Sequence, residues 1–392
     1  MGQQQADIVS KFKWSLPWLV RYPLWRARTL MAAGGNHNGL THVVFVVANH
    51  FEPGVGKQAV GPVDRWCKLA RKTGLSLQDH DGTHFRHTYF FPAEQYDYAS
   101  IEKLRALQVE GLGEVEVHLH HGVDKPDNAE NTRYALESFR DTLAYKHDCL
   151  SHENPAAPPR YAFVHGNVAL ANSAGGRNCG VDSEMQVLAE TGCYADFTLP
   201  SAPDQSQVPK INSIYQCGNP LTEAKPHRSG PDLKVGDKPT LPIIINGPLV
   251  FDWTRRVHGF PVPRLDDGAL ARNYPLKMAR FRRWHGAHIG VKGRPDWIFI
   301  KLHCHAFFEQ DQNEMMGDEL RRFMTAVMEF GQTRGGFKVH FATAREVFNM
   351  VAAALEGQSG DPARYRDYVM RPIRGTGQTV ATPETSHAVG QR

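Results

Sequence analysis

The residues with the clearest chemical potential in this sequence are histidines that close a predicted strand. In EVEVHLHHG (114–122) polar and apolar residues alternate. The two-residue period of a strand therefore puts His118 and His120 on one face together with two glutamates, opposite three apolar side chains. Neutral imidazole is a good ligand for Zn²⁺ and related ions, so this face predicts a metal site.

A second histidine pair closes a strand near the C-terminus. In DWIFIKLHCH, His303 and His305 share one face, and in RYAFVHGN, His165 and Asn167 share another. The chain has 20 histidines, so a single His-x-His spacing is expected by chance, and any one of them can be a core or surface residue. Two pairs that both end predicted strands favour a functional site, in which His303 or His305 acts as the general acid.

The first predicted strand supplies further polar side chains. After the apolar run THVVFVVA the chain continues NHFEPG, which places Asn49, His50 and Glu52 at the end of that strand. We predict a divalent metal, most simply zinc, with His118, His120 and Asn49 as ligands. Such a metal lowers the pKa of a bound water, and Glu52 or His50 is the candidate base for its proton.

The elements that must position these residues follow an alternating pattern. Between 41 and 355, seven or eight short apolar or alternating segments are separated by segments with helical spacing. This predicts an α/β fold with a parallel sheet, a closed (β/α)7–8 TIM-like barrel rather than an open sheet, that forms a single main domain. Loop insertions are expected at about 201–239 and 255–295. In such a barrel the reactive groups collect at the C-terminal ends of the strands, where these histidines fall.

Composition excludes several other classes of protein. The 392 residues include 41% hydrophobic and 22% charged ones, as in a globular protein. A net charge of +4 gives no indication of a nucleic-acid partner, and no apolar run has the length of a membrane span. The six cysteines are scattered without a C-x-x-C pair, which is typical of reduced thiols and predicts a cytoplasmic protein.

The two ends of the chain differ from its middle. The basic and aromatic N-terminal segment 1–40 contains KFKWSLPWLVRYPLW, which predicts either packing on the domain surface or peripheral contact with the anionic inner face of a membrane. The segment 371–392 has few apolar residues and predicts a disordered tail.

Five stretches together resemble the polysaccharide deacetylase superfamily of carbohydrate esterases and related sugar hydrolases: NHFEP, HLHH, FVHGNVALANS, GCYADFTLPSAP and IKLHCHA. The resemblance lies in motif order and covers about 41–350, as in a divergent branch. It implies a distorted (β/α) barrel, a divalent metal, and removal of N-acetyl or O-acetyl groups from a carbohydrate or glycoconjugate.

The first two motifs depart from the family pattern. The resemblance implies an aspartate base and a metal-binding aspartate at 49–52, where this chain has asparagine at the first position. It also implies two metal-binding histidines spaced H-x-x-x-H, whereas this chain has H-x-H-H. His118 with either His120 or His121 therefore matches the second motif.

The later motifs also differ. The family's L-x-H motif supplies an acid histidine, and here His303 and His305 flank the matching position. The arginine motif of the family is replaced by His165 and Asn167. We expect His121, His165 and Asn167 to contact the substrate.

We therefore predict a metal-dependent hydrolase that removes an acyl group from a sugar or glycoconjugate. One alternative is a glycosidase-like or phosphoesterase-like hydrolase on the same barrel, and a retaining glycosidase would use Glu52 and Glu116 as its two carboxylates. Another is a non-catalytic carbohydrate-binding relative that has lost its base, in keeping with Asn49. The sequence predicts no oligomeric state.

Overall fold

The chain folds as an α/β protein, seen here in a computed structural model that describes residues 2–33, 39–218 and 220–373. The helices, numbered along the chain, are α1 (Gly2–Leu19), α2 (Tyr22–Ala33), α3 (Lys57–Ser76), α4 (Tyr98–Val109), α5 (Ala129–His147), α6 (Glu184–Glu190), α7 (Met278–His285), α8 (Gln312–Met316), α9 (Asp318–Phe330) and α10 (Ala344–Leu355). The strands are β1 (Thr41–His50), β2 (His87–Pro92), β3 (Gly113–Leu119), β4 (Ser151–His152), β5 (Tyr161–His165), β6 (Cys193–Asp196), β7 (Ser213–Gln216), β8 (Ile243–Asn246), β9 (Val250–Asp252), β10 (Arg256–Val257), β11 (Phe260–Pro261), β12 (Arg264–Asp266), β13 (Trp297–His305), β14 (Phe337–Ala342) and β15 (Arg371–Pro372).

The main sheet contains nine strands in the order β13-β1-β2-β3-β5-β6-β8-β7, and β14 pairs with the first part of β1. Every pair in it is parallel except β7 with β8. The predicted α/β class is thus confirmed as a large, mostly parallel mixed sheet. Strand β1, which pairs with β13, β2 and β14, is a β-branched run that is buried along most of its length, as expected for a strand covered on both faces.

The sheet is strongly curled. Five strand steps separate β13 from β6, which would put them roughly 24 Å apart in a flat sheet. Yet Nζ of Lys301, on β13, donates a hydrogen bond of 2.7 Å to the carbonyl of Phe197, directly after β6. A lysine side chain spans this gap only if the two strands curve towards each other, so the polar inner face of the sheet encloses a narrow space.

Residues 247–270 follow β8 and reach the side of β13. There β9 and β12 form an antiparallel pair, and the backbone of Leu270 donates to the carbonyl of His303. This segment overlaps the loop insertion predicted at about 255–295, which also contains α7. Strand β7 lies in the loop insertion predicted at about 201–239. These stretches therefore contain regular structure, although their strands are short.

The ends of the described chain also carry structure. At the N-terminus α1 and α2 precede the sheet, and residues 34–38 of the predicted N-terminal segment lie outside the described residues. Within the predicted tail, β15 pairs with β4, whereas residues 374–392 lie outside the described residues. No helix in the described ranges is long and apolar enough to cross a membrane.

A buried ion pair fastens α10 to β3. Arg345 is 4% exposed, and its Nη2 lies 2.6 Å from Oε1 of Glu114. Its Nη1 also donates to the carbonyl of Met370 at 2.9 Å, which holds the segment after α10 in place. The sequence predicts Glu114 on the same face of β3 as His118 and His120, and in the structure its carboxylate pairs with this helix.

Replacing Arg345 by methionine leaves the Glu114 carboxylate without its partner in a largely buried place. We expect Arg345→Met to lower the free energy of unfolding by about 3 kcal/mol, measured by urea denaturation at neutral pH. The matched control is Arg65→Met, which breaks an ion pair with Glu309 whose side chains are 58% and 68% exposed. That change should cost less than about 1 kcal/mol. Equal losses for the two variants would contradict the assignment.

Buried neutral histidines should make the fold sensitive to acid. Burial lowers the pKa of His87 to about 3, and the Nδ2 amide of Asn49 contacts its Nδ1 at 3.2 Å. The unfolded histidine has a pKa of about 6.5, so the unfolded state alone takes up a proton as the pH falls from 6.5 towards 3. Stability is therefore lost across that window, by roughly 2 kcal/mol from His87 between pH 7.5 and pH 5.

Urea denaturation of His87→Gln at these two pH values tests this expectation. The difference in unfolding free energy between the two pH values should shrink relative to wild type, because the substituted side chain does not titrate. The same substitution at His258, which is exposed, should leave the difference unchanged. An unaltered pH dependence in His87→Gln would count against a neutral buried imidazole.

Candidate functional site

The C-terminal ends of β1, β3 and β13 meet at one edge of the sheet. His50 and His305 are direct neighbours in the pairing of β1 with β13, and their ring centroids are 4.6 Å apart. The ring of His118, on β3, lies 5.1 Å from that of His50. The parallel arrangement thus brings together side chains that are far apart in the sequence, and we call His50, Glu52, His118, His120 and His305 the rim site.

Glu52 lies at the centre of the rim site. Its Oε1 is 3.3 Å from Nε2 of His118 and 3.8 Å from Nδ1 of His50. One ligand atom of each of these three residues lies within 4.8 Å of the others, a spacing suited to a metal ion. Burial by itself raises the pKa of Glu52, but contact with His118 outweighs this and lowers it. The carboxylate is therefore ionised and faces three imidazoles.

The ring of His118 is held in one tautomer. Its Nδ1 lies 2.7 Å from the carbonyl of Val164, and this contact requires that Nδ1 carries the proton. In the neutral ring the lone pair is then on Nε2, which faces the Glu52 carboxylate. Two electron-pair donors at this distance are bridged by a proton or by a metal ion, and a backbone carbonyl behind the imidazole is the usual support of a metal-binding histidine.

His120 joins the rim site with a different support. Its Nδ1 lies 2.5 Å from Oε1 of Glu94, and its Nε2 is 4.0 Å from Oε1 of Glu52. Burial lowers the pKa of His120, but the hydrogen bond to Glu94 outweighs this and raises it. Glu94 was not predicted as a site residue. The side chain of His120 is also closely packed, because a Cβ added to Gly166 would lie 2.4 Å from the imidazole ring of His120.

The two histidines of β13 have different neighbours. Burial lowers the pKa of His305 to about 4, partly opposed by Glu52, and its ring stacks on Phe308 with centroids 5.0 Å apart. His303 instead lies 3.5 Å from Oδ1 of Asp267, another residue that the sequence did not point to. Burial raises the pKa of Asp267, but His303 outweighs it and the value falls to about 2. His305 is thus the closer of the two to Glu52.

Two predicted residues lie away from the rim site. Asn49 is fully buried on the other face of β1, where its amide contacts His87 and its oxygen accepts from the backbone of Ala306. It is not placed to bind the predicted metal. Glu116 is 1% exposed, and its oxygens accept from Tyr194 Oη and from the backbone of Ala162 at 2.6 Å. No substrate reaches it there, which disfavours a glycosidase that uses Glu52 with Glu116.

A second group of ligating side chains lies deeper, and we call it the buried group: His121, His165, Cys179 and Glu184. All four are buried, and one ligand atom of each lies within 4.8 Å of the others. This group can hold a metal ion. His121 and His165 had been expected to contact substrate, whereas Cys179 and Glu184 were not singled out. Asn167, the third predicted substrate residue, is exposed and stands apart from the buried group.

The geometry of the buried group calls for a cation. Nε2 of His121 is 3.0 Å from Nε2 of His165 and 2.8 Å from Oε1 of Glu184. Although burial lowers the pKa of His121, the charge of Glu184 raises it to about 11. Burial in turn raises the pKa of Glu184, but the two histidines outweigh it and the value falls to about 2. The carboxylate thus favours a positive charge between the two rings.

Comparison with known proteins adds no assignment. No protein-family model matches this sequence, and no curated protein matches it significantly. The chemistry of the two groups therefore has to be argued from their own residues.

Proposed function

We propose that this protein is a metal-dependent hydrolase that removes an acyl group from a sugar or glycoconjugate, on a curled sheet that amounts to a distorted (β/α) barrel. The observation that carries the proposal is the convergence of Glu52, His118 and His50 at the C-terminal ends of parallel strands. This is the edge at which enzymes of such folds place their reactive groups. A catalytic role at this edge also explains why imidazoles and a carboxylate are held together where they are partly buried.

The donor set suits a divalent transition metal such as zinc, with Glu52, His118 and His50 as ligands. A bound metal of this kind supplies Lewis acidity and a water of lowered pKa. Three protein ligands leave a position open for that chemistry, which distinguishes a catalytic site from a structural one.

The remaining residues of the rim site suit proton transfer. His120 donates its Nδ1 proton to Glu94, so its Nε2 is free to take a proton from the attacking water. His305 stands on the other side of His50 and is the candidate donor to the leaving group. Because burial lowers its pKa to about 4, it must take up a proton during the reaction before it donates one. This assignment moves His120 from ligand to base, and it leaves His303, paired with Asp267, as the alternative acid.

The carbohydrate substrate is proposed from the motif resemblance, and one contact supports it. Phe308 is 51% exposed beside His305, with its ring nearly parallel to the imidazole. An exposed aromatic face next to reactive groups offers apolar surface on which a sugar ring can stack. The sugar would then lie across the rim site with its acyl group near Glu52.

We further propose that α1 rests on an anionic membrane surface. One face of α1 packs on the domain through Trp18, which is buried and stacks on Phe251 with centroids 5.8 Å apart. The opposite face exposes the apolar side chains Val9, Phe12 and Leu16 at intervals of three and four residues, and Val20 is exposed directly after the helix. A helix with apolar residues on both faces needs a second partner.

Charge favours lipid as that partner. The sequence from 9 to 33 contains no acidic residue, and several exposed basic residues accompany the apolar face: Lys11, Lys13, Arg21 and Arg28. Basic side chains beside an apolar helix face are typical of helices that lie in the interface of anionic membranes.

Two substitutions separate metal binding from proton transfer at the rim site. We expect His118→Ala to lose the rim metal, seen by elemental analysis, and to lose acetate release from N-acetylated chitin oligosaccharides or O-acetylated xylan. His305→Ala should keep the metal and slow acetate release by about 10²- to 10⁴-fold, because it removes only a proton donor.

His258→Ala is the matched control, since it removes an exposed loop histidine and should change neither property. Acetate release that survives complete removal of metal by a chelator would overturn the proposed mechanism. If the metal-loaded protein releases acetate from neither substrate, the proposed substrate class is overturned.

Vesicle sedimentation tests the membrane contact. The protein should bind vesicles of phosphatidylcholine mixed with phosphatidylglycerol more tightly than vesicles of phosphatidylcholine alone, and salt should weaken binding. Phe12→Asp with Leu16→Asp should reduce binding at least about tenfold, since both side chains would otherwise enter the interface. Val109→Asp, which changes an exposed valine on α4, is the control. Equal binding by both variants would contradict the proposal.

A further inference from the structure

We propose that the buried group is a closed zinc site with a structural role, in which His121, His165, Cys179 and Glu184 supply all four ligands. This site is separate from the rim site, and the inference does not depend on the proposed activity. Four ligands of this kind complete the tetrahedral shell that structural zinc prefers.

The cysteine is placed as a thiolate ligand. Sγ of Cys179 accepts from the backbone amides of Asn172 at 3.3 Å and Val181 at 3.5 Å, and it lies 3.6 Å from Oε2 of Glu184. Two amide donors stabilise negative charge on sulfur, whereas the nearby carboxylate opposes it. A divalent cation between the sulfur and the carboxylate removes that conflict, because a thiolate and a carboxylate together balance its charge.

His121 and His165 both direct their Nε2 atoms towards the same point. Nδ1 of His121 lies 3.0 Å from Oδ2 of Asp127, and Nδ1 of His165 donates to the carbonyl of Gly166. Once zinc replaces the proton on Nε2 of His121, each ring presents a lone pair to the point that both rings share with Glu184. The Asp127 carboxylate is itself held by Thr132 Oγ1 at 3.0 Å, which gives His121 the two-step support usual for metal ligands.

The surroundings of the buried group favour structure over catalysis. The four side chains are buried, so no open position faces a substrate. Cys179 lies in a small apolar cluster of its own with Ala169, Ala174 and Val181. A thiolate in such a place is protected from solvent, and the ion would be enclosed on every side by protein.

Zinc in the buried group would hold together two loops that lie beside the rim site. The loop after β3 carries His121, and the loop before α6 carries Cys179. The two loops already touch, since the amide of Asp127 donates to the carbonyl of Cys179 at 2.8 Å. Gly122 has a positive φ of 64°, and a Cβ there would lie 2.0 Å from the same carbonyl, so only glycine permits this approach. Zinc would fix the end of β3, and with it His120.

Cobalt spectroscopy separates this site from the rim site, because only the buried group contains sulfur. Full-length protein stripped of metal and given Co²⁺ should show a thiolate-to-cobalt charge-transfer band in the near ultraviolet. Cys179→Ala should abolish the band, whereas Cys149→Ala, which removes another buried thiol, should retain it. Absence of the band in wild type, or its persistence in Cys179→Ala, would overturn the inference.

Zinc analysis of the protein as purified gives a second measurement that needs no metal exchange. Cys179→Ala should contain less zinc than Cys149→Ala, and equal zinc contents would overturn the inference. His118→Ala should keep the cobalt band, because the rim site has no thiolate. A band that persists in His118→Ala together with unchanged acetate release would refute the rim site as catalytic and leave the buried site standing.

Discussion

The arrangement of both groups depends on one repeated interaction, the donation of an Nδ1 proton from an imidazole to a fixed acceptor. His118 donates to a backbone carbonyl, His120 to Glu94, and His121 to Asp127. Each contact fixes a proton on Nδ1 and turns Nε2 inward. Without these acceptors the rings could rotate or carry the proton on the other nitrogen, and the carboxylates Glu52 and Glu184 would face no organised set of donors.

The sheet makes these contacts possible because parallel strands end together. The curl shown by the Lys301 hydrogen bond brings the ends of distant strands within reach of one another. The helices and the buried Arg345 pair hold that shape from outside. Strand ends thus place His50, His118, His165 and His305, and the segments that follow the strands supply the other two histidines, the carboxylates and the thiol.

Much of this placement could be predicted from the sequence. The two-residue period correctly identified β3 and β13, and it put His118 with His120 on one inner face. The same period argues against Asn49 as a partner of His50, because adjacent residues of a strand point to opposite faces, and this signal was available. Glu94, Asp267, Cys179 and Glu184 could not be found in this way. They lie in turns, loops or a short helix, where the two-residue period of a strand gives no signal, and only the folded arrangement brings them to the histidines.

His120 and His121 are neighbours in the chain but serve different groups, one facing Glu52 and the other Glu184. The peptide bond between them therefore marks the boundary between the rim site and the buried group. Insertion or deletion of a single residue in β3 would move one imidazole into the place of the other and leave either the rim site or the buried group without its histidine. The length of this strand is thus constrained as tightly as its composition, and natural variation here should preserve spacing even where side chains change.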